Sequence, residues 1–310
     1  MKRLCEPEAL RALLEKYMSK ATRRDVHEPY LAAAISRLAQ EGSYLLSSGR
    51  HGWVRRRASE LNNTRNWAAY AMEVHLTYTL ELSGIATSNA VSSVPTSGSD
   101  VDISWEDGGI RVRTECVSMF EPADYWSTTI QPADGVEVLT ALHNGDDEAA
   151  FLRRVQDKIR RKTIGDDGSA TKFPEPDTST VHIIAADVSQ GAGWLPDRWD
   201  LELIALGRRA VHPYAQHNLL GLFESANQYG PGFDEEFRRN EFLRSRVHAL
   251  LFLVDESRWR SSLDPCYTGC MLLNPNVSIT YAQTSALNRM GHSLEGFVEW
   301  MTSLRIVTQS

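Results

Sequence analysis

The sequence has no apolar run that approaches the roughly 20 residues needed to cross a lipid bilayer. Its longest candidate, residues 248–254, has only the length of a β-strand. The 310 residues are 42% hydrophobic and 24% charged, a balance that excludes disordered, fibrous and disulfide-scaffold proteins. The first ten residues contain acidic side chains and no apolar segment, which predicts that no signal peptide is present. We therefore expect a soluble protein with no membrane partner.

Cysteine is also scarce. The cysteines are Cys5, Cys116, Cys266 and Cys270, a usage that is ordinary for intracellular proteins and predicts reduced thiols in the cytoplasm. Cys266 and Cys270 have a spacing that would supply half of a zinc site, but no second pair of cysteines or histidines has matching spacing. Buried thiols are therefore the expected state of these residues.

Lysine is rare among the basic residues. The chain has 33 lysines and arginines, of which the lysines are only Lys2, Lys16, Lys20, Lys158, Lys162 and Lys172. The net charge of −7 counts against a protein that binds nucleic acid, because such proteins are usually basic, although the distribution of charge matters more than its sum. Chemistry that needs a lysine therefore has few candidates.

Hydrophobic periodicity divides the chain into two parts. Residues 1–62 are predicted to form an N-terminal helical extension, and residues 63–310 the core. In chain order, the core is predicted to contain a helix over 63–82, a hairpin that turns at Gly108 and Gly109, a helix over 148–164, buried strands over 181–188 and 246–254, and a short terminal helix over 294–304. This order predicts the α/β class, as an α/β/α sandwich with a central mixed β-sheet.

Three acidic residues predict a metal site. Glu73 lies inside the first core helix, while Asp102 and Glu115 lie on the two strands of the hairpin. On a period of two residues, the turn at Gly108 brings Asp102 and Glu115 close together, and Asp100 is the alternative on the same strand. Carboxylates on adjacent strands with a third from a helix predict an oxygen site for Mg²⁺ or Mn²⁺. The competing interpretation is that Glu115 forms a buried salt bridge with no role in catalysis.

The segment GSDVDISWEDGGIRVRTECVS, preceded by a helix that contains Glu73, resembles the PD-(D/E)xK nuclease superfamily over about residues 66–190. The resemblance implies a restriction-endonuclease-like fold and metal-dependent hydrolysis of phosphodiester bonds, in DNA defence or processing. It gives Glu73 the role of the helix glutamate, Asp102 that of the strand aspartate and Glu115 that of the motif glutamate.

The sequence departs from the family pattern at the lysine that follows the motif glutamate by two residues. Val117 stands at this position and can neither position water nor offset charge on a phosphate. Some members of the superfamily carry the lysine on the neighbouring helix, which leaves Lys158, Lys162 and Lys172 as candidates. Lys158 and Lys162 are four residues apart on one face of the predicted helix, and we predict that Lys162 takes this catalytic role.

Clusters of basic residues predict where nucleic acid would bind. Arg55, Arg56 and Arg57 form one cluster, while Lys158 and Arg161 belong to another on the helix over 148–164. Such clusters in an acidic protein suit a positive groove that faces a phosphate backbone. The expected partner is DNA rather than RNA.

Two other functions remain open. Val117 supports a catalytically inactive nuclease fold, which would act as a nucleic-acid-binding or assembly subunit together with a protein partner or a second copy. A nucleotidyltransferase is suggested by Gly98, Ser99, Asp100 and Asp102 with Glu115 as third carboxylate, although that family places its Gly-Ser pair well before the two aspartates. Metal-dependent cleavage distinguishes the nuclease from both.

Overall fold

The structure is a computed structural model that describes residues 7–22, 29–50, 53–54, 57, 67–89, 101–119, 145–163, 173–189, 196–207, 219–255, 267–295 and 298–301. The helices are α1 (Pro7–Thr22), α2 (Pro29–Ser47), α3 (Trp67–Leu82), α4 (Gly145–Thr163), α5 (Arg198–Leu206), α6 (Asp234–Arg239), α7 (Glu241–Arg246) and α8 (Tyr281–Leu294), with a 3₁₀ turn at Pro231–Phe233. The strands are β1 (Thr87–Asn89), β2 (Ile103–Asp107), β3 (Ile110–Ser118), β4 (Thr180–Asp187), β5 (Ala249–Asp255), β6 (Tyr267–Leu273) and β7 (Val298–Trp300).

The strands form one seven-stranded sheet in which spatial order follows chain order. β2 is antiparallel to both β1 and β3, whereas β4 is parallel to β3, and β5 is parallel to β4. β6 is antiparallel to β5, and β7 is parallel to β6. The predicted α/β class with a mixed sheet is therefore confirmed.

Helices cover both faces of this sheet. Along β4, Ile184 and Ala186 face an apolar layer with α4 and α5, whereas Ile183 and Ala185 face a second layer with α3 and α8. Because both faces are covered, β4 and β5 are continuous apolar runs rather than alternating ones. No helix in the described part of the chain combines the length and the apolar character that crossing a bilayer requires.

The hairpin predicted at Gly108 and Gly109 is confirmed. Both glycines have positive φ, 56° and 82°, a conformation that glycine adopts without steric cost and that two-residue hairpins favour. The register pairs Ile103 with Thr114. Asp102, one residue before β2, consequently lies across from Glu115.

The predicted terminal helix over 294–304 is wrong. α8 ends at Leu294, and Val298–Trp300 forms β7 beside β6. The close approach of β7 depends on Gly269 of β6, since a Cβ atom there would lie 2.3 Å from Cγ1 of Val298. This contact joins residues that are distant in sequence, so local periodicity does not reveal it.

Candidate active site

The carboxylates predicted for the metal site meet two cations where β2 begins. The Nζ atom of Lys162 lies 3.5 Å from Oδ2 of Asp102 and 3.6 Å from Oε2 of Glu115. Glu73 joins them through Arg57, whose Nη2 atom lies 2.5 Å from Oε2 of Glu73 and 3.9 Å from Oδ1 of Asp102. The structure thus brings Glu73, Asp102, Glu115 and Lys162 together, and their catalytic roles remain predictions.

Glu73 is positioned by a helix that is buried on nearly all sides. α3 packs Met72 and Leu76 against the sheet, while Ala71 and Val74 pack against α1 and α2 in a separate apolar cluster. A helix buried on opposite faces leaves little room for a solvated charge. The Glu73 side chain is accordingly only 3% exposed, and its carboxylate faces Arg57 rather than water.

Asp102 is fixed by the backbone of the neighbouring strand. The chain bends at Asp102, and its Oδ2 atom accepts a hydrogen bond of 2.8 Å from the backbone N–H of Cys116. The bend also changes the face of Val101, which packs with Val117 instead of with Ile103. The alternation expected from residues 101–105 therefore stops at Asp102, and the side chain is held at the edge of the site.

Glu115 lies within β3 and is fully buried. A buried carboxylate costs several kcal/mol unless it is paired, and the ammonium group of Lys162 supplies such a pairing. Lys162 is thus one ionic partner of Glu115 in the folded chain.

Lys162 reaches the carboxylates from the last turn of α4. Phe151, Val155 and Ile159 belong to the apolar layer between α4 and the sheet, and spacings of four, four and three residues place Lys162 on the same face as these residues. The Lys162 side chain is 30% exposed, more than the other side chains of the site. Lys162 therefore lies where the site opens to solvent.

The charges of the site do not cancel. Among the residues that the structure describes, three carboxylates face Arg57 and Lys162, so these five groups carry one net negative charge when all are ionised. Burial and the neighbouring charge of Asp102 raise the pKa of Glu73 well above its usual range, although Arg57 and Lys162 act in the opposite direction. Burial alone would lower the pKa of Lys162, but Asp102, Glu115 and Glu73 together raise it above its ordinary value. Lys162 is consequently expected to be positively charged at neutral pH.

The three carboxylates are chemically suited to bind a hard divalent cation, but their oxygens are not grouped around one point in this structure. Carboxylate oxygens are the ligands that Mg²⁺ and Mn²⁺ prefer, and Glu73, Asp102 and Glu115 supply them. Within the residues that the structure describes, however, no three His, Cys, Asp or Glu side chains are grouped so that they could hold a metal ion. Arg57 and Lys162 contact the carboxylate oxygens instead.

The predicted nucleic-acid-binding residues have different positions. Arg161 is exposed and Lys158 is half-buried, both near Lys162 on α4. Arg57 is buried and lies inside the candidate site rather than on an exposed surface. Several residues named in the sequence predictions lie outside the described residues: Cys5, Arg55, Arg56, Gly98, Ser99, Asp100, Lys172 and Cys266.

Arg57 is the site residue whose place the sequence did not predict. The basic cluster 55–57 predicted a surface that binds nucleic acid, and no local sequence pattern links Arg57 to Glu73 or Asp102. The sequence places Trp53 four residues before Arg57. In the structure the Arg57 guanidinium lies 5.9 Å from the centre of the Trp53 ring, a distance at which cations and aromatic rings attract.

Comparison of the chain with family models, with curated proteins and with solved structures found no match. The function is therefore argued from the side chains of the site and their chemistry.

Proposed function

We propose that this protein is a metal-dependent nuclease that hydrolyses phosphodiester bonds in nucleic acid and has a restriction-endonuclease-like core. The observation that carries the proposal is the contact of Lys162 with both Asp102 and Glu115. β3 has Val117 where the nuclease pattern has its lysine, and Lys162 on α4 lies beside the same two carboxylates instead.

The order of the elements agrees with this proposal. Glu73 lies on α3, Asp102 enters β2, and Glu115 lies on β3, as the nuclease pattern requires. α4 follows the hairpin and precedes β4, which is parallel to β3. The helix that carries Lys162 thus occupies the place of the second core helix in that pattern.

The side chains of the site suit the charge that develops during hydrolysis. Mg²⁺ or Mn²⁺ held by Asp102 and Glu115, with Glu73 as a third carboxylate, would stabilise charge on the phosphate and lower the pKa of a bound water molecule. Lys162, charged at neutral pH, offsets the negative charge of the phosphate group, and burial of its partners strengthens this effect. The hydrogen bond from Cys116 holds Asp102 in one orientation throughout. Hydrolysis forms one phosphorus–oxygen bond from water and breaks another to the leaving strand.

Basic side chains beside the opening of the site provide contacts for the rest of the substrate. Arg161 is exposed one residue before Lys162, and Lys158 lies one turn earlier. Phosphate contacts of this kind position a nucleic acid without reading its sequence. The proposed substrate is DNA, with RNA as the alternative in the assay.

The test is cleavage of single-stranded and double-stranded DNA and RNA by the purified protein with Mg²⁺, with Mn²⁺ and with a chelator. The wild type should cut at least one of these substrates only when metal is present. Glu115→Gln keeps the shape of the side chain and removes its charge, so it should abolish cleavage. A wild type that cuts nothing, or a Glu115→Gln variant that cuts equally well, overturns the proposal.

A second function has one observation in its favour. Because no three potential metal ligands in the described ranges are grouped to hold an ion, the chain would also suit a nuclease fold that has lost catalysis and binds nucleic acid or assembles with a partner. In that case the protein should bind nucleic acid equally well with metal and with chelator, and it should leave every substrate intact.

A further inference from the structure

Arg57 is a second cation in the acidic site, and the nuclease pattern has no place for it. It is 5% exposed, and its guanidinium lies between the carboxylates of Glu73 and Asp102. The two cations divide the oxygens between them. Arg57 contacts Oε2 of Glu73 and Oδ1 of Asp102, whereas Lys162 contacts Oδ2 of Asp102 and Oε2 of Glu115.

Arg57 lies beside both Glu73 and Asp102, where a divalent cation would have to lie in order to bind these two carboxylates together. A guanidinium and a metal ion cannot share them, because two cations at such distances in a buried site repel strongly. Glu73 and Asp102 also repel each other when no cation lies between them, so Arg57 stabilises the arrangement observed without metal.

The charge balance indicates which cation leaves. With a divalent cation bound, Lys162 alone balances the three carboxylates, whereas Arg57 in addition would leave one net positive charge. Lys162 is held on the packed face of α4, while the Arg57 guanidinium already lies 5.9 Å from the centre of the Trp53 ring. Attraction to this ring does not depend on the carboxylates and stays available to Arg57 when a divalent cation binds them.

We propose that Arg57 is a displaceable counter-ion that keeps the metal site closed. Its guanidinium lies against Glu73 and Asp102 in the metal-free protein and withdraws when a divalent cation binds all three carboxylates. This inference rests on the metal site of the proposed function but does not depend on whether the protein cleaves nucleic acid. Arg57 thereby sets the metal concentration at which the site fills.

The test is the affinity for Mn²⁺ alone, measured by isothermal titration calorimetry on the full chain. Arg57→Gln should bind Mn²⁺ about tenfold more tightly or better, since it removes a competing buried charge. Arg57→Lys keeps a charge but not the planar fork that contacts two carboxylates, and its affinity should lie between those of wild type and Arg57→Gln. Arg50→Gln is the matched control, because Arg50 is also largely buried and pairs with Glu81 and Thr87 away from the site.

The outcomes separate this inference from the proposed function. Mn²⁺ binding by Arg57→Gln that is no tighter than wild type, equal gains in Arg57→Gln and Arg50→Gln, or no Mn²⁺ binding by any variant each overturn it. Should circular dichroism show that Arg57→Gln is unfolded, Arg57→Lys decides, and an affinity at or below wild type overturns the inference. If Arg57→Gln and Arg57→Lys bind Mn²⁺ more tightly than wild type but the protein cuts no nucleic acid, the inference about Arg57 is supported and only the proposed nuclease function is overturned.

Discussion

The ammonium group of Lys162 lies 3.6 Å from Oε2 of Glu115, although Val117 fills the position on β3 where the nuclease pattern has its lysine. Val117 packs instead into the apolar layer that also contains Val155 and Ile159 of α4. The packing of α4 against β3 therefore sets the distance between the lysine and the motif glutamate.

Lys162→Ala should abolish cleavage and leave nucleic-acid binding nearly intact. Removing one charge that stabilises the reacting phosphate lowers the rate by on the order of 10²-fold or more, whereas one phosphate contact among several contributes little to affinity. Cleavage rates and fluorescence anisotropy of labelled DNA measure the two effects. Lys158→Ala, one turn earlier on α4, should reduce cleavage much less, and equal losses in the two variants would contradict the role of Lys162.

Mn²⁺ should raise the melting temperature, and Asp102→Asn should remove this effect. A ligand that binds only the folded state stabilises it, by about 2.7 kcal/mol at a hundred times its dissociation constant. Differential scanning fluorimetry with Mn²⁺ and with chelator measures the shift. Glu106→Gln is the control, because this exposed carboxylate lies on the same hairpin and pairs with Arg111 outside the site. A Mn²⁺ shift that persists in Asp102→Asn would show that the ion binds elsewhere.

The metal-free protein should lose stability through Glu73 as the pH rises. Burial and Asp102 raise the pKa of Glu73 in the folded state, so above its unfolded pKa the folded state holds a proton that the unfolded state releases. Stability then falls with increasing pH until the folded pKa is passed. Urea unfolding in chelator at several pH values measures the free energy of unfolding of both proteins. The value for Glu73→Gln minus the value for wild type should increase as the pH rises. A constant difference at every pH would exclude this titration.

Two buried histidines should make the protein sensitive to acid. The Nδ1 atom of His248 accepts a hydrogen bond of 3.0 Å from the backbone N–H of His182, and burial lowers the pKa values of both histidines to about 4. Between the ordinary histidine pKa of about 6.5 and this value, the unfolded state binds more protons. Each histidine therefore makes its full contribution to the free energy of unfolding above about pH 6.5, and this contribution is lost as the pH falls toward about 4.

His248→Asn tests this prediction. Asparagine keeps an acceptor near the position of Nδ1 and cannot take up a proton, so the variant should lose less free energy of unfolding than wild type between neutral pH and about pH 4. The control is His292→Asn, since His292 is exposed on α8, and its acid sensitivity should match wild type. Equal acid sensitivity in all three proteins would contradict the prediction.

The parts of the site that the sequence predicted are those that depend on short spacings. Gly108 and Gly109 determine the hairpin register, which places Asp102 across from Glu115. The scarcity of lysine, and the position of Lys158 and Lys162 on one face of the helix that follows the hairpin, then favoured Lys162. Each of these inferences uses neighbours within one element or one turn.

The parts that the sequence did not predict depend on contacts between distant segments. Arg57 meets Glu73 and Asp102 only because α3 and β2 come together in the folded chain. The strand β7 similarly exists because Gly269 leaves space for Val298. A cluster of three arginines and a short apolar stretch have no periodicity that would reveal either contact.

Val117 also restricts how the lysine of this site can change position. A lysine introduced at residue 117 would force a charged side chain into the space shared with Val155 and Ile159, and its ammonium would compete with that of Lys162 for Glu115. A lysine on β3 and the lysine on α4 would therefore compete for the same carboxylate. Moving the lysine from α4 to β3 would require changes at residues 117 and 162 and in the apolar contacts that Val117 makes with α4.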